Sequence, residues 1–174
     1  MATSPVHLVA ILEYYENKMK QFDINEVKEY IRQSTPESKI YLGCDSERTR
    51  HERVWWADYT LAIVVHIDGK HGCKIFGYYE RERDYDQKKN RPNIRLMTEV
   101  YKVSSLYLEL KDCIDDRHVE VHLDINPNVN YASNVVVHQA IGYIRGTCDV
   151  EALIKPNAFA ASYAADRLKF ILNR

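Results

Sequence analysis

Two aspartates directly follow short apolar runs that are typical of buried strands. The segment IYLGCDSE (40–47) leads into Asp45, and VEVHLDINPN (119–128) leads into Asp124 before an Asn-Pro-Asn turn. Ligands in open α/β sheets collect at the carboxyl ends of the strands. We therefore expect the two strands to be neighbours and the two carboxylates to share one site. Carboxylate oxygens are ligands that hard divalent cations such as Mg²⁺ prefer.

Two further acids lie on predicted helices. Between residues 95 and 113 the apolar residues recur with the helical period, and Glu99 lies at the edge of their stripe while Glu109 lies opposite. We predict that Glu99 points toward the sheet and that Glu109 is solvated. In the last helix, Asp166 shares a face with aromatic residues and is predicted to point inward. The stripe beside Glu99 is Leu96, Val100, Val103, Tyr107 and Leu110, and the aromatic residues beside Asp166 are Phe159, Tyr163 and Phe170.

Four inward carboxylates, Asp45, Glu99, Asp124 and Asp166, would repel one another at low dielectric unless positive charge lies among them. Two Mg²⁺ or Mn²⁺ ions about 4 Å apart would compensate them, activate a water molecule and stabilise a leaving oxygen in phosphodiester cleavage. Each acid alone has an ordinary structural explanation as a turn or capping residue, a helix N-terminal charge or an ion-pair partner. The combination of all four favours a shared site for divalent metal ions.

The elements around these acids predict an α/β protein. Helices are predicted over residues 4–20, 23–33, 93–113, 133–145 and 158–172, and strands over 39–44, 54–67, 73–80, 119–124 and 150–155. Asp68-Gly69 predicts a hairpin, so the first three strands form an antiparallel meander that βαβ units follow. This order indicates a five-stranded mixed sheet with helices on both faces. We expect residues 1–35 to form a helical extension packed on a domain of residues 36–174.

Four motifs support a family resemblance: LGCDSE (42–47), MTEV (97–100), HLDINPN (122–128) and IKPNAFAASYAADR (154–167). Over about residues 39–170 the chain is similar to the YkuK-type proteins, a group of predicted nucleases of the ribonuclease H-like superfamily. The resemblance implies a ribonuclease H-like mixed sheet with metal-binding acids at Asp45, Glu99, Asp124 and Asp166. The two N-terminal helices lie outside the core shared by that superfamily. The last acid is the ligand that varies most within it.

Polar and basic residues flank the predicted site and are candidates for binding nucleic-acid phosphates. Two lie just after the first acid, three lie in the polar segment 81–95, one follows Asp124 and one ends the fifth predicted strand. A solvated charged loop is an equal alternative for the two basic segments, and Lys155 could equally be a surface lysine. The candidates are Arg48, Arg50, Lys88, Lys89, Arg91, Asn126 and Lys155.

Composition limits the remaining functions. The 174 residues carry a net charge of −1, so any contact with nucleic acid must come from a local patch. No apolar run is long enough to span a bilayer, and we expect no signal peptide. The four cysteines are far apart in sequence, which favours a reducing, cytoplasmic setting. Phosphate-binding glycine loops, a GxSxG elbow and zinc-ligand spacing are all absent from the sequence.

Two other functions stay open at this point. The same fold could be a metal-poor or inactive module that binds nucleic acid or a protein. Alternatively, the chain could be a subunit that contacts a protein partner, or another copy of itself, through the N-terminal helices.

Overall fold

The computed structural model describes residues 23–69, 72–86 and 91–172 of the chain. The predicted helix over residues 4–20 lies outside the described residues. Among the helices described, none is long and apolar enough to cross a membrane.

A five-stranded mixed sheet forms the centre of the fold. Its strands are β1 (Lys39–His51), β2 (Val54–His66), β3 (Cys73–Arg83), β4 (Val119–Leu123) and β5 (Ala152–Ile154). They lie in the order β3-β2-β1-β4-β5. The first three pair antiparallel, while β1–β4 and β4–β5 pair parallel. This arrangement confirms the predicted meander followed by crossover connections, and it confirms that the strands preceding Asp45 and Asp124 are neighbours.

The first strand is longer than its sequence predicted. It does not end at Cys44 but pairs with β2 continuously to His51, with Asp45 opposite Thr60. The hairpin closes at Glu52 and Arg53, whose φ values of 47° and 69° are left-handed. Two successive left-handed residues match the twist of an antiparallel pair, as in a tight two-residue hairpin. The basic segment after Asp45 is therefore part of a hairpin and not the loop that we expected.

Three helices cover one face of the sheet. They are α1 (Ile24–Gln33), α2 (Asn93–Ile114) and α3 (Val137–Cys148). Alternate strand residues such as Leu42, Leu61 and Val121 are buried against them in one large core. Val27 and Ile31 of α1 are one helical turn apart and belong to that same core, so the second predicted N-terminal helix packs on the sheet.

A helix of small residues covers the opposite face. A wide π turn (Ala160–Ala164) leads into α4 (Ala165–Leu172). Ala160, Ala164 and Leu168 pack on this face of β2. The approach is close at Gly77, where an added Cβ would lie 2.1 Å from Cδ1 of Leu168 and 2.7 Å from a strand carbonyl oxygen. Small side chains on both surfaces therefore let the helix lie near the sheet.

Two element boundaries differ from their prediction. Helix α3 begins after a 3₁₀ turn (Ala132–Val136) and continues past Gly146 to Cys148, where Asp149 takes the left-handed conformation with φ 59°. Asp149 thus ends the helix in the left-handed conformation that is common at helix C-termini, because aspartate tolerates that conformation. Strand β5 is shorter than the predicted range of 150–155.

Candidate functional site

The two strand aspartates lie next to each other where β4 ends beside the middle of β1. Cys44 of β1 is paired in register with Leu123 of β4, so Asp45 and Asp124 occupy the next position on neighbouring strands. Neighbouring strands are about 4.8 Å apart. Cys44 and Leu123 face the large core, and because side chains alternate, both aspartates project from the other face. Each is partly buried.

Glu99 reaches the same place from the opposite side of the sheet. It lies near the start of α2, is 3% exposed, and accepts a hydrogen bond from the Ser46 hydroxyl. The guanidinium of Arg95, one turn earlier in the helix, lies 3.6 Å from the Glu99 carboxylate. Burial raises the pKa of Glu99 well above its usual range and the charge of Asp45 raises it further, although the Ser46 and Arg95 contacts oppose this. The inward prediction for Glu99 is confirmed, and Glu109 is exposed as expected.

Asp45, Glu99 and Asp124 line one cleft of about 320 Å³, where the carboxyl end of β4 lies beside the middle of β1. Asn126 and Lys155 line it too. Asp124 also contributes to the raised pKa of Glu99, so all three acids interact electrostatically. The cleft therefore concentrates negative charge from three separate elements.

Protein cations compensate part of this charge. The ammonium group of Lys155 lies 2.7 Å from Oδ1 of Asp124. Burial would lower the pKa of Lys155, but the hydrogen bond to Asp124 and the charges of the three acids raise it. On the other side, Arg95 donates to the backbone oxygen of Ser46 at 2.7 Å. Two cationic side chains thus lie beside three carboxyl groups, so the cleft contains more acidic than basic side chains.

The donor chemistry of the cleft suits a hard divalent cation, because carboxylates and a side-chain amide are the ligands that Mg²⁺ and Mn²⁺ take. The positions of the side chains give a different result. Among the described residues, no group of three or more His, Cys, Asp or Glu side chains is arranged to hold a metal ion. Lys155 contacts an oxygen of Asp124 and Ser46 contacts an oxygen of Glu99, so two oxygens that could bind a metal have protein partners instead.

The fourth predicted acid is not oriented as expected. Asp166 is exposed, and it is not among the residues that line the cleft. The inward stripe of this segment is Ala160, Ala164 and Leu168, so the prediction that Asp166 points inward with the aromatic residues is wrong. The π turn shifts the phase of the helix, and the flat surface around Gly77 accepts alanines more closely than aromatic rings.

Ser162 lies one turn before Asp166 and contacts the strand acid instead. Its hydroxyl donates to Oδ1 of Asp124 at 2.6 Å. The sequence offered no signal for this contact beyond the position of the serine near the start of the last helix. Ser46 and Arg95 were also missed, because their roles depend on Glu99, which is distant from Ser46 in sequence.

Arg48 has a structural role. Its guanidinium pairs with the buried carboxylate of Asp84, donates to the backbone oxygen of Asp86, and lies 4.4 Å from the ring centroid of Trp55. Asp86 in turn accepts the backbone N–H groups of residues 94 and 95, each at 2.9 Å, and so caps the start of α2. Arg48 therefore helps to position the helix that carries Glu99.

The other predicted phosphate-binding residues differ in position. Arg50 is exposed on β1 beside Trp55, and Arg91 is exposed just before α2. Lys88 and Lys89 lie outside the described residues. Asn126 lines the cleft, where its side-chain oxygen also accepts the backbone N–H of Asn128 at 2.9 Å.

His122 is a buried core residue beside the cleft. Its Nδ1 accepts the backbone N–H of Ala160 at 2.9 Å, so Nε2 carries the proton and donates to Glu120 at 3.0 Å. Burial lowers the pKa of His122. Both ring nitrogens have protein partners, so His122 is a satisfied core residue.

The cysteines form no disulfide. All four are unpaired thiols, of which Cys44, Cys113 and Cys148 are buried and Cys73 is exposed. The buried three behave as small apolar residues.

A comparison with protein families gives a match over nearly all described elements. A family described as "Ribonuclease H-like" matches residues 23–169. No curated protein and no solved structure matches the chain. The matched range contains the whole sheet and every residue that lines the acidic cleft.

Proposed function

This chain belongs to the ribonuclease H-like family, and from that premise we propose that it is a divalent-metal-dependent nuclease. It would hydrolyse phosphodiester bonds in RNA, DNA or an RNA/DNA hybrid. The observation that carries the proposal is the convergence of Asp45, Glu99 and Asp124, from two strands and one helix, on a single cleft. Three carboxyl groups beside a lysine suit a substrate whose phosphates bind together with divalent cations.

In this proposal, Asp45, Glu99 and Asp124 hold Mg²⁺ or Mn²⁺, two ions in all, with Asp166 as the fourth ligand that the family resemblance assigns. When bound, such ions supply charge neutralisation and an activated water. The acids provide the anionic oxygens. Ser46 and Ser162 hold two of the carboxylates in place through their hydroxyl groups.

Lys155 would bind the phosphate of the substrate. Its ammonium group already lies against a carboxylate at the rim of the cleft, and its side chain is 40% exposed. An incoming phosphate offers this cation a second anionic partner within reach of the acids. Phosphates farther along the nucleic acid would contact the remaining candidates, which are Arg50, Lys88, Lys89, Arg91 and Asn126.

A second function is favoured by the side-chain spacing. Among the described residues, no three or more His, Cys, Asp or Glu side chains are arranged to hold a metal ion. In addition, Lys155 pairs with Asp124. These two observations suit a catalytically weak or inactive module that binds nucleic acid or a protein partner. Its acids would then serve only to position Lys155 and Arg95.

One experiment separates the two functions. Labelled RNA, DNA and hybrid are incubated with the protein in Mg²⁺, in Mn²⁺ and in EDTA, and the products are resolved on a denaturing gel. The nuclease cleaves at least one substrate in a metal ion and none in EDTA. Asp45→Asn abolishes this cleavage, whereas Asp112→Asn, the same change at an exposed position of α2, leaves it intact. Retained binding without cleavage in any ion would establish the second function.

We further propose that the protein acts in the cytoplasm, since its four cysteines are unpaired thiols. Asp166→Asn tests the fourth ligand in the same assay. Loss of cleavage comparable to that of Asp45→Asn supports its role, and full activity removes it from the site.

A further inference from the structure

The acidic cleft continues into a second pocket. The neighbouring pocket has a volume of about 430 Å³ and shares Asn126 and Lys155 with the cleft. Together they form one groove that passes over the middle of β1 and the carboxyl ends of β4 and β5, with the three acids at one end and Lys155 between the two parts. A chain of repeating units could follow such a groove across the acids.

An exposed tyrosine lines each part of this groove. Tyr131 lines the acidic cleft and is 56% exposed, and Tyr163 lines the second pocket and is 77% exposed. Within the described part of the chain, no side-chain hydrogen bond or ring contact involves either of them. Other tyrosines of the protein have such partners; for example, Tyr79 donates to Asp58. One large exposed ring thus lies in each part of the groove, and Lys155 lies between the two parts. Such exposed rings are surfaces available to a ligand.

Hydrogen bonds fix the two backbone segments that carry these rings. Tyr131 lies in a loop that is stabilised by asparagine side chains. The side-chain oxygens of Asn126 and Asn128 each accept a hydrogen bond from the backbone N–H two residues later, at 2.9 Å. The hydroxyl of Ser133 ties the same loop to the backbone N–H of Asn126 at 3.0 Å. Tyr163 follows Ser162, whose hydroxyl bonds Asp124, on the π turn. The backbone that carries each ring is therefore held by contacts within the protein.

The chemistry of the groove fits unpaired nucleotides. Cations at Lys155 and Arg95 suit phosphates, while the two tyrosine rings offer flat surfaces for bases. In a duplex each base is stacked between its neighbours, so its face is covered and cannot meet a protein ring. Aromatic rings along a charged groove are instead a recurring means of binding single strands.

We propose that the groove binds single-stranded nucleic acid, with the bases on either side of the central phosphate stacked on Tyr131 and Tyr163. This inference rests on the proposed function, because it assigns the strandedness of the substrate at the same site. It adds two residues that the acids alone do not imply. Stacking on a ring tolerates any base, so the groove would bind with little sequence preference.

The test measures binding apart from cleavage. Fluorescence anisotropy is recorded in EDTA and, in parallel, in Ca²⁺, with a labelled 12-nucleotide RNA, the corresponding DNA, and both as blunt duplexes. A denaturing gel checks that the probes stay intact, and a failure of the single strands to bind in both buffers overturns the inference. We expect the single strands to bind at least about tenfold more tightly than the duplexes. Replacing either ring by leucine should weaken single-strand binding about 5- to 150-fold, the loss typical of one stacked base. Tyr131→Phe and Tyr163→Phe keep the ring and should stay within about threefold of the wild type, because stacking needs the ring and not its hydroxyl.

A matched control uses another exposed tyrosine. Tyr143 lies on α3, outside the groove, with its ring 4.9 Å from that of Tyr101. Tyr143→Leu should leave binding unchanged. Circular dichroism and thermal melting of each variant show whether it is folded.

The outcomes also separate this inference from the nuclease proposal. Duplexes that bind as tightly as single strands, or leucine variants that bind as well as the wild type, overturn the inference even if the protein cleaves. Ring-dependent binding of single strands upholds it, and a failure to cleave in any metal ion then refutes only the nuclease. The RNA and DNA arms show which backbone the groove prefers.

Discussion

Replacing Glu99 by glutamine should stabilise the protein at neutral and alkaline pH. Glu99 is 3% exposed, and burial followed by the charge of Asp45 raises its pKa well above the usual range. In the native protein the ionised form is therefore disfavoured relative to the unfolded chain. Glutamine imitates the protonated carboxyl in size and still accepts the Ser46 hydrogen bond.

The size of the effect follows from opposing contributions. An ion buried at such a site carries a penalty of several kcal/mol. The substitution weakens the Ser46 bond from about 1.5–3 kcal/mol, for a charged acceptor, to about 0.5–1.5 kcal/mol. It also removes the attraction of Arg95, 3.6 Å away, which is of similar size. The remaining gain is about 1–2 kcal/mol, or about 2–8 °C in the melting temperature of a chain of this length.

The gain should depend on pH in one direction only. Below the ordinary glutamate pKa of 4.5, both native and unfolded wild type carry the proton, and the substitution changes little. As pH rises, the unfolded chain releases the proton before the native protein does, so the wild type loses stability until the raised pKa is passed. The advantage of Glu99→Gln therefore grows from about pH 4 upward and then levels off.

Urea unfolding at pH 4, 6 and 8, in chelator-treated buffer, measures this difference. Glu109→Gln is the matched control, because it removes the same charge from the same helix at an exposed position. We expect it to change stability by less than about 0.5 kcal/mol at every pH. Our account of the cleft is refuted if Glu99→Gln is less stable than the wild type at pH 8, or if its advantage is the same at pH 4.

Three further predictions concern the sheet that carries the site. Gly77→Ala should cost about 1–3 kcal/mol in urea unfolding, because its Cβ would lie 2.7 Å from the backbone oxygen of Leu61 and 2.1 Å from Cδ1 of Leu168. Because the strand oxygen cannot move aside, part of this cost should remain in a Leu168→Ala background; no cost in the wild-type background would contradict the close packing. Burial lowers the pKa of His122 below its ordinary 6.5, so the unfolded chain takes up the proton first and the wild type should lose stability as pH falls below that value. An NMR titration midpoint of His122 at or above 6.5 would disprove it. Burial would raise the pKa of Asp58, but hydrogen bonds from Arg81 and from two hydroxyls lower it, so Asp58→Asn should cost about 2–3 kcal/mol at pH 7. That cost should shrink as pH falls through 3.8, and a cost that does not vary with pH would rule out the charged pair.

Patterns within single elements predicted much of the fold. The second strand was expected over residues 54–67 and spans Val54–His66, and the helix carrying Glu99 was expected over 93–113 and spans Asn93–Ile114. These segments are long and bury one or both faces. Their period is therefore visible in the sequence whatever lies next to them.

The first strand shows where such patterns stop. Beyond Cys44 the sequence DSERTRH is polar and no longer alternates, so nothing in it predicts a strand. It is extended because β2 pairs with it along its whole length. Backbone hydrogen bonds from a neighbouring strand do not depend on the side chains of the segment that receives them.

The last helix had two possible inward stripes. One contains aromatic residues with Asp166, and the other contains Ala160, Ala164 and Leu168. Hydrophobicity alone favours the aromatic stripe. The surface it packs on favours the alanines, because Gly77 and Ala62 make that part of the sheet flat enough for close approach.

The sequence by itself determined that Asp45 and Asp124 would adjoin and that Glu99 would turn inward, because strand alternation and helical period are properties of local segments. Only the tertiary structure decided which groups surround those acids: Lys155 and Ser162 at Asp124, and Ser46 and Arg95 at Glu99. Most of these partners are far from the acid in sequence. The fold brings these charged groups together in a partly buried cleft. An unpaired carboxylate there would be costly, so Asp124 and Glu99 both have hydrogen-bond and ion-pair partners.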